Sequence, residues 1–196
     1  MTWRADMQQE IHRWIGMLWI AFLVLWTAGA LIQKRTLRRE PISSRLLQLC
    51  LCGVAYMLLA SPLLNFGWLA VPFVPGNIFF SLLGLSLTIL GFAFAIWARV
   101  FLGGNWSAAV TVKKGHELVR NGPYALVRHP IYSGTLLALL GTAIVFHAMR
   151  GLLAFGVGCL ALRIKSRREE LFMMQEFGAE YVGYMKTVKA LIPFVW

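Results

Sequence analysis

The chain has 196 residues, of which 59% are hydrophobic and only 14% charged, and its formal net charge is +11 from 19 Lys and Arg against 8 Asp and Glu. A mean hydropathy of +0.67 excludes disorder, and so small a charged fraction, against about 25% in soluble domains, excludes an ordinary soluble fold. A basic excess of this size can also signal nucleic acid, so the placement of the charge decides.

Four stretches, Trp14 to Ile32, Leu46 to Leu64, Ile78 to Ala98 and Ile131 to Met149, contain no Asp, Glu, Lys or Arg. Each is about long enough, at ~1.5 Å per helical residue, to cross a hydrocarbon core of ~30 Å. A fifth apolar stretch, Gly151 to Leu162, would rise roughly 18 Å and does not span alone. The expected fold is an all-α integral membrane protein of about five transmembrane helices with a cytoplasmic C-terminal helical cofactor-binding region. Residues 1–196 read as one domain, with 1–102 as transmembrane scaffold and 103–196 as the catalytic half.

Lys and Arg are retained on the cytoplasmic side of membranes. With five passes and the N-terminus outside, only Arg4, Arg13 and Arg150 fall outside, and every other basic residue falls in the segments 33–45, 99–128 and 163–196. The expected topology therefore has a cytoplasmic C-terminus, in the inner membrane of a bacterium or the endoplasmic reticulum of a eukaryote. The charge reads as topology and lipid headgroup contact, not as nucleic-acid binding. The charged start runs into a full-length span without a small-residue cleavage pattern, so no cleavable signal is expected.

Cys50, Cys52 and Cys159 sit inside apolar stretches and are expected to be small buried hydrophobes. No Cys/His spacing suggests zinc, and the single aspartate, Asp6, lies in the outer tail, so no metal is expected. Small residues at Gly84, Gly91 and Ala98, and at Gly134, Ala138 and Gly141, are spaced to let two helix backbones approach closely.

Polar groups collect in the C-terminal half. In Asn121 to Tyr132, Pro130 suits the first position of a helix and His129 its cap. A helix start with unpaired amide donors beside Arg128 is a candidate anion site, with a plainly capped helix as the alternative. If the short fifth stretch returns from the far surface, Arg163 and Lys165 lie at membrane depth, and the helix runs on through Glu169 and Glu170. Lys165 and Glu169 share one face, as do Ser166 and Glu170. Phe177, Tyr181, Tyr184 and Val188 form an apolar stripe suited to a lid or packing face, and Gly178 is placed to end one helix and admit the next.

The run Gly115-His116-Glu117-Leu118-Val119, the segment Gly122-Pro123-Tyr124, then Arg128-His129-Pro130-Ile131-Tyr132, and finally Glu169-Glu170 with Phe177-Gly178 and Glu180-Tyr181, resembles the isoprenylcysteine carboxyl methyltransferase family. That family sits within a wider group that includes the phospholipid N-methyltransferases. The resemblance covers residues 105–193 and implies S-adenosylmethionine as methyl donor, bound outside any Rossmann domain. By position it implies that His116, Leu118, Val119, Tyr124, His129, Pro130, Tyr132 and Glu169 hold the cofactor. Glu170 matches the second acid of the motif. Lys165 stands where the family places a substrate-binding arginine, with Arg163 and Arg167 nearby.

The implied function is methyl esterification of the carboxylate of a prenylated cysteine or similar lipidic acceptor. In that reading Lys165 holds one acceptor oxygen, with Arg163 and Arg128 as further substrate contacts. The alternative within enzymes is amine methylation of a phospholipid, for which Glu169, Glu170 or His129 would serve as base. A membrane scaffold without catalysis is a third reading. Membrane lipids are the other expected partners.

Overall fold

The computed structural model describes residues 2–30, 36–39, 41–103, 111–113 and 118–193. Its helices are α1 (Thr2–Ala30), α2 (Ile42–Ala60), α3 (Ile78–Leu102), α4 (Pro130–Phe146), α5 (Met149–Phe177) and α6 (Ala179–Thr187). Two short strands, β1 (Thr36–Arg39) and β2 (Thr111–Lys113), pair antiparallel with Arg38 opposite Val112. Nothing in the hydropathy pattern announced this ribbon, which ties the α1–α2 connection to the one between α3 and α4.

Within α1, α2 and α3, segments of 23, 19 and 25 residues are long and apolar enough to cross a membrane, and α4 is a shorter apolar helix. The protein is therefore an integral membrane protein. α5 continues without interruption from the short apolar stretch through Glu169 and Glu170, so its polar half projects beyond its apolar half.

The packing core is the α3–α4 pair, and small residues create it. A Cβ on Gly84 or Gly141 would collide with the backbone of the facing helix, and so would one on Gly91 or Gly134. At this separation Thr88 Oγ1 donates to the Gly84 carbonyl at 2.9 Å and the Ala138 carbonyl at 3.3 Å, so the buried hydroxyl is satisfied. α1 lies across the pair through Ile11, Ile15 and Phe22, and Trp19 Nε1 donates to Thr142 Oγ1 at 3.0 Å.

α2 packs on α5 instead. Arg150, at the start of α5, donates to the Ser61 carbonyl at 2.9 Å, and Arg168 donates to Ser44 Oγ near the start of α2. Cys50 and Cys52 correct the expectation of burial: both face outward, where a thiol behaves as a small apolar group against lipid. Gly178 has φ 51, a left-handed conformation that glycine tolerates, and it both ends α5 and caps α6.

Candidate active site

Residues 118–129 lead into α4. Gly122 is left-handed at φ 58, and a Cβ there would meet the Phe101 ring at 2.6 Å, so close approach and backbone conformation both select glycine. Pro123 and Tyr124 follow in a buried turn, with Tyr124 packed against Ala98 and Ile131 and bordered by Val119.

His129 is the cap residue of α4 and Pro130 its first residue, as the sequence pattern predicts. The candidate anion site is corrected. The Arg128 amide donates to the Lys189 carbonyl at 2.8 Å and the His129 amide to the Ala190 carbonyl at 3.0 Å. Ser133 Oγ adds a bond to the Leu191 carbonyl at 2.6 Å. The chain's own 189–191 segment therefore covers this helix start.

Arg128 is likewise spent internally. Its Nε and Nη2 donate to Glu170 Oε1 at 3.0 and 2.6 Å, and its Nη1 reaches the Met185 and Val188 carbonyls. The two side chains are 9% and 7% exposed, so the pair forms a closed link between α4, α5 and the chain after α6. Such an arginine is a clamp.

From Glu170 the polar contacts continue inward. His129 Nε2 lies 3.3 Å from Glu170 Oε1, and its Nδ1 lies 3.4 Å from Glu169 Oε2. The Tyr132 hydroxyl donates to Glu169 Oε1. The Tyr132 ring stacks on His129 with centroids 5.4 Å apart, and the Lys165 ammonium stands 5.4 Å from the same ring's centroid. Lys165 and Glu169, one turn apart on α5, thus converge on Tyr132.

The electrostatics follow from this pairing. Burial alone would depress the His129 pKa, but the hydrogen bonds and charges of Glu169 and Glu170 outweigh it and raise it above 6.5. Burial would likewise raise both glutamates, yet His129 pulls Glu169 down, and His129 with Arg128 pulls Glu170 down to about 2. The pairing therefore favours the charged form of the histidine and of both acids. Tyr184, whose hydroxyl donates to the Tyr124 carbonyl, is pushed up to about 12, chiefly by burial.

The structure thus brings together His129, Tyr132, Lys165, Glu169 and Glu170, with Pro130 at the helix start and Tyr124 and Val119 alongside. Leu118 is half-buried. Arg163 lines a different cleft, together with Arg128. His116 lies outside the described residues. Sequence reasoning missed the role of residues 188–191, whose side chains give no signal of it because they act through backbone carbonyls. The Tyr181–Tyr184 pair of the apolar stripe is 3% and 6% exposed, and Tyr184 bonds to the Tyr124 carbonyl.

This region coincides with known sequence similarity. A family profile described as phospholipid methyltransferase matches residues 79–180, from α3 to the start of α6. Protein-S-isoprenylcysteine O-methyltransferase B of Arabidopsis thaliana is 32% identical over 117 residues, covering 57% of this chain and 58% of that protein. The Homo sapiens protein-S-isoprenylcysteine O-methyltransferase is 30% identical over 118 residues, 59% of this chain and 42% of its own. This chain spans less than two thirds of the length of these relatives. The solved structure of the eukaryotic intramembrane Ras methyltransferase ICMT (isoprenylcysteine carboxyl methyltransferase) aligns with a TM-score of 0.50 and 25% identity, covering 78% of this chain and 52% of that one.

Proposed function

Because the chain belongs to the phospholipid methyltransferase family, we propose that it is an integral-membrane methyltransferase that uses S-adenosylmethionine to esterify the carboxylate of a prenylated cysteine or similar lipidic acceptor. The relatives named for isoprenylcysteine O-methyl transfer support the acceptor class. In this reading the basic end of the bundle, with the C-terminus, faces the cytoplasm.

The residues suit a cationic donor. The Tyr132 ring already holds one ammonium against its face, and the Glu169 carboxylate bonded to its hydroxyl supplies the complementary charge. Val119 and Tyr124 offer an apolar wall next to them for a purine. When bound, the donor supplies an electrophilic methyl group, so the protein must align two reactants and exclude water rather than create a strong acid.

One observation favours ester formation over amine methylation. An amine acceptor must lose a proton, yet both His129 nitrogens face the carboxylates of Glu169 and Glu170, and both glutamates are shifted below the ordinary carboxylate range, which weakens them as bases. A carboxylate acceptor is already a nucleophile and needs only a cation to hold its second oxygen. Lys165 fills that role. Glu170 acts through His129 and Arg128, as a positioning residue.

The test supplies purified protein with methyl-labelled donor, total membrane lipid and a prenylcysteine analogue. Label released as volatile methanol in alkali is the expected result, since esters hydrolyse and methylated amines do not. Alkali-stable label in lipid overturns the ester assignment in favour of amine methylation.

A further inference from the structure

A second cleft, of about 890 Å³, lies between α5, the turn at Arg128 and the chain from Met185 to Ala190. Among the described residues its charged lining is Arg128, Arg163, Arg167, Arg168 and Lys189 against Glu170. Arg128 and Glu170 cancel in their ion pair and Arg168 is bonded to Ser44, yet the cleft keeps a strong positive excess, with Arg167 and Lys189 both exposed. Ile164, Leu171, Met174 and Met185 supply an apolar floor between the charges.

This cleft and the Tyr132 cluster occupy roughly opposite faces of α5: at 3.6 residues per turn, Arg163, Arg167, Leu171 and Met174 point away from Lys165 and Glu169. A field of this sign repels a sulfonium donor and attracts an anion. Arg168 bonds to Ser44 near the start of the membrane-length helix α2, so Arg167 beside it stands near the end of that span, close to the level of lipid phosphates, with Arg163 about a turn deeper. We propose that the cleft binds the phosphate headgroup of an anionic membrane phospholipid, at a site that meets the methyl-transfer cluster only at Glu170 and lies on the other side of α5 from Lys165 and Glu169. The phosphate lies among Arg163, Arg167 and Lys189, and the start of an acyl chain rests on Ile164 and Met185. This inference does not rest on the proposed methyl-transfer activity.

The experiment titrates the full chain, in phosphatidylcholine nanodiscs, with spin-labelled phosphatidylglycerol or spin-labelled phosphatidylcholine and reads the immobilised fraction of each. Wild type should favour the anionic lipid. With about a fivefold effect per cation near a lipid surface, Arg167→Gln/Lys189→Gln should cut that preference at least tenfold. Glu169→Gln, in the methyl-transfer cluster, should leave it intact whether or not the protein transfers methyl groups. Equal binding of the two lipids, or an unchanged preference in the double variant, overturns the proposal. So does loss of the preference in Glu169→Gln, or displacement by aqueous glycerol phosphate as effective as by the lipid, which would make the ligand a soluble phosphate.

Discussion

Arg128 and Glu170, 42 residues apart in sequence, form an ion pair at 2.6 Å that is nearly closed to solvent, and the same arginine holds the carbonyls of Met185 and Val188. One guanidinium therefore fixes both the acid beside His129 and the segment that covers the start of α4. Removing one partner of a buried pair leaves an uncompensated charge, at about 3–5 kcal/mol. Arg128→Ala and Glu170→Ala should each lower unfolding stability in detergent by that order. The double variant Arg128→Ala/Glu170→Ala should be less damaged than the sum of the two singles, as a double-mutant cycle would show. Additive losses would mean that the two residues act independently.

Tyr132 and Glu169 test the site itself. The Tyr132 hydroxyl donates to a carboxylate, a bond of the charged class contributing about 1.5–3 kcal/mol. Tyr132→Phe keeps the ring stacked on His129 and near Lys165, so it should fold normally while kcat/KM for methyl transfer falls roughly 10- to 100-fold. An unchanged rate would show that Glu169 needs no orienting hydroxyl.

Lys165 separates donor from acceptor. Lys165→Ala should not weaken S-adenosylmethionine binding, because an ammonium near the cluster repels a cationic donor, and should sharply reduce turnover of a carboxylate acceptor. Lys165→Arg should restore much of that turnover, since a guanidinium also binds carboxylates. Isothermal titration with the donor alone and initial rates with the prenylcysteine analogue distinguish the two effects; parallel loss of both would remove Lys165 from the acceptor role.

The α3–α4 seam makes a stability prediction with a built-in control. Gly91→Ala places a methyl group against the Gly134–Ala138 backbone and Gly84→Ala one against Gly141, whereas Gly156→Ala on α5 meets nothing within 4 Å. Each seam variant should lose about 1–3 kcal/mol by overpacking, and Gly156→Ala should be neutral or slightly stabilising through helix propensity. Thermal unfolding of the three variants in one detergent provides the comparison.

What could be read beforehand follows the range of each signal. Helix spans, the cap at His129 with Pro130, the glycine seam and the run of α5 through Glu169 are local or periodic, so hydropathy and residue type expose them. The convergence of Lys165 and Glu169 on Tyr132 needed only the helical repeat plus one α4–α5 contact. The outward Cys50 and Cys52, the strand pair and the Lys189–Leu191 carbonyls over the helix start were not legible. Lipid exposure leaves no polar face to read, and backbone partners carry no residue signature. Arg128 was misleading for that reason, since an arginine beside a helix start looks the same whether it awaits an anion or has already found Glu170.

The His129 triad should give the protein a stability maximum on the mildly acidic side of neutral. Glu170 titrates near 2 in the fold against an ordinary 4.5, so its contribution is complete above about pH 4.5 and disappears as pH falls toward 2. Glu169, also lowered, adds to the same acidic limb. His129 has the opposite sign: its pKa is raised above 6.5, so its contribution is complete below that value and is lost as pH climbs through the folded pKa. Midpoints of thermal unfolding from about pH 3 to about pH 9 should therefore fall at both ends, with the plateau between about 4.5 and 6.5. His129→Asn should lower the plateau and flatten the alkaline limb while leaving an acidic limb that the Arg128–Glu170 pair still sustains. An alkaline limb that survives His129→Asn unchanged would show that His129 does not carry the positive charge between the two acids.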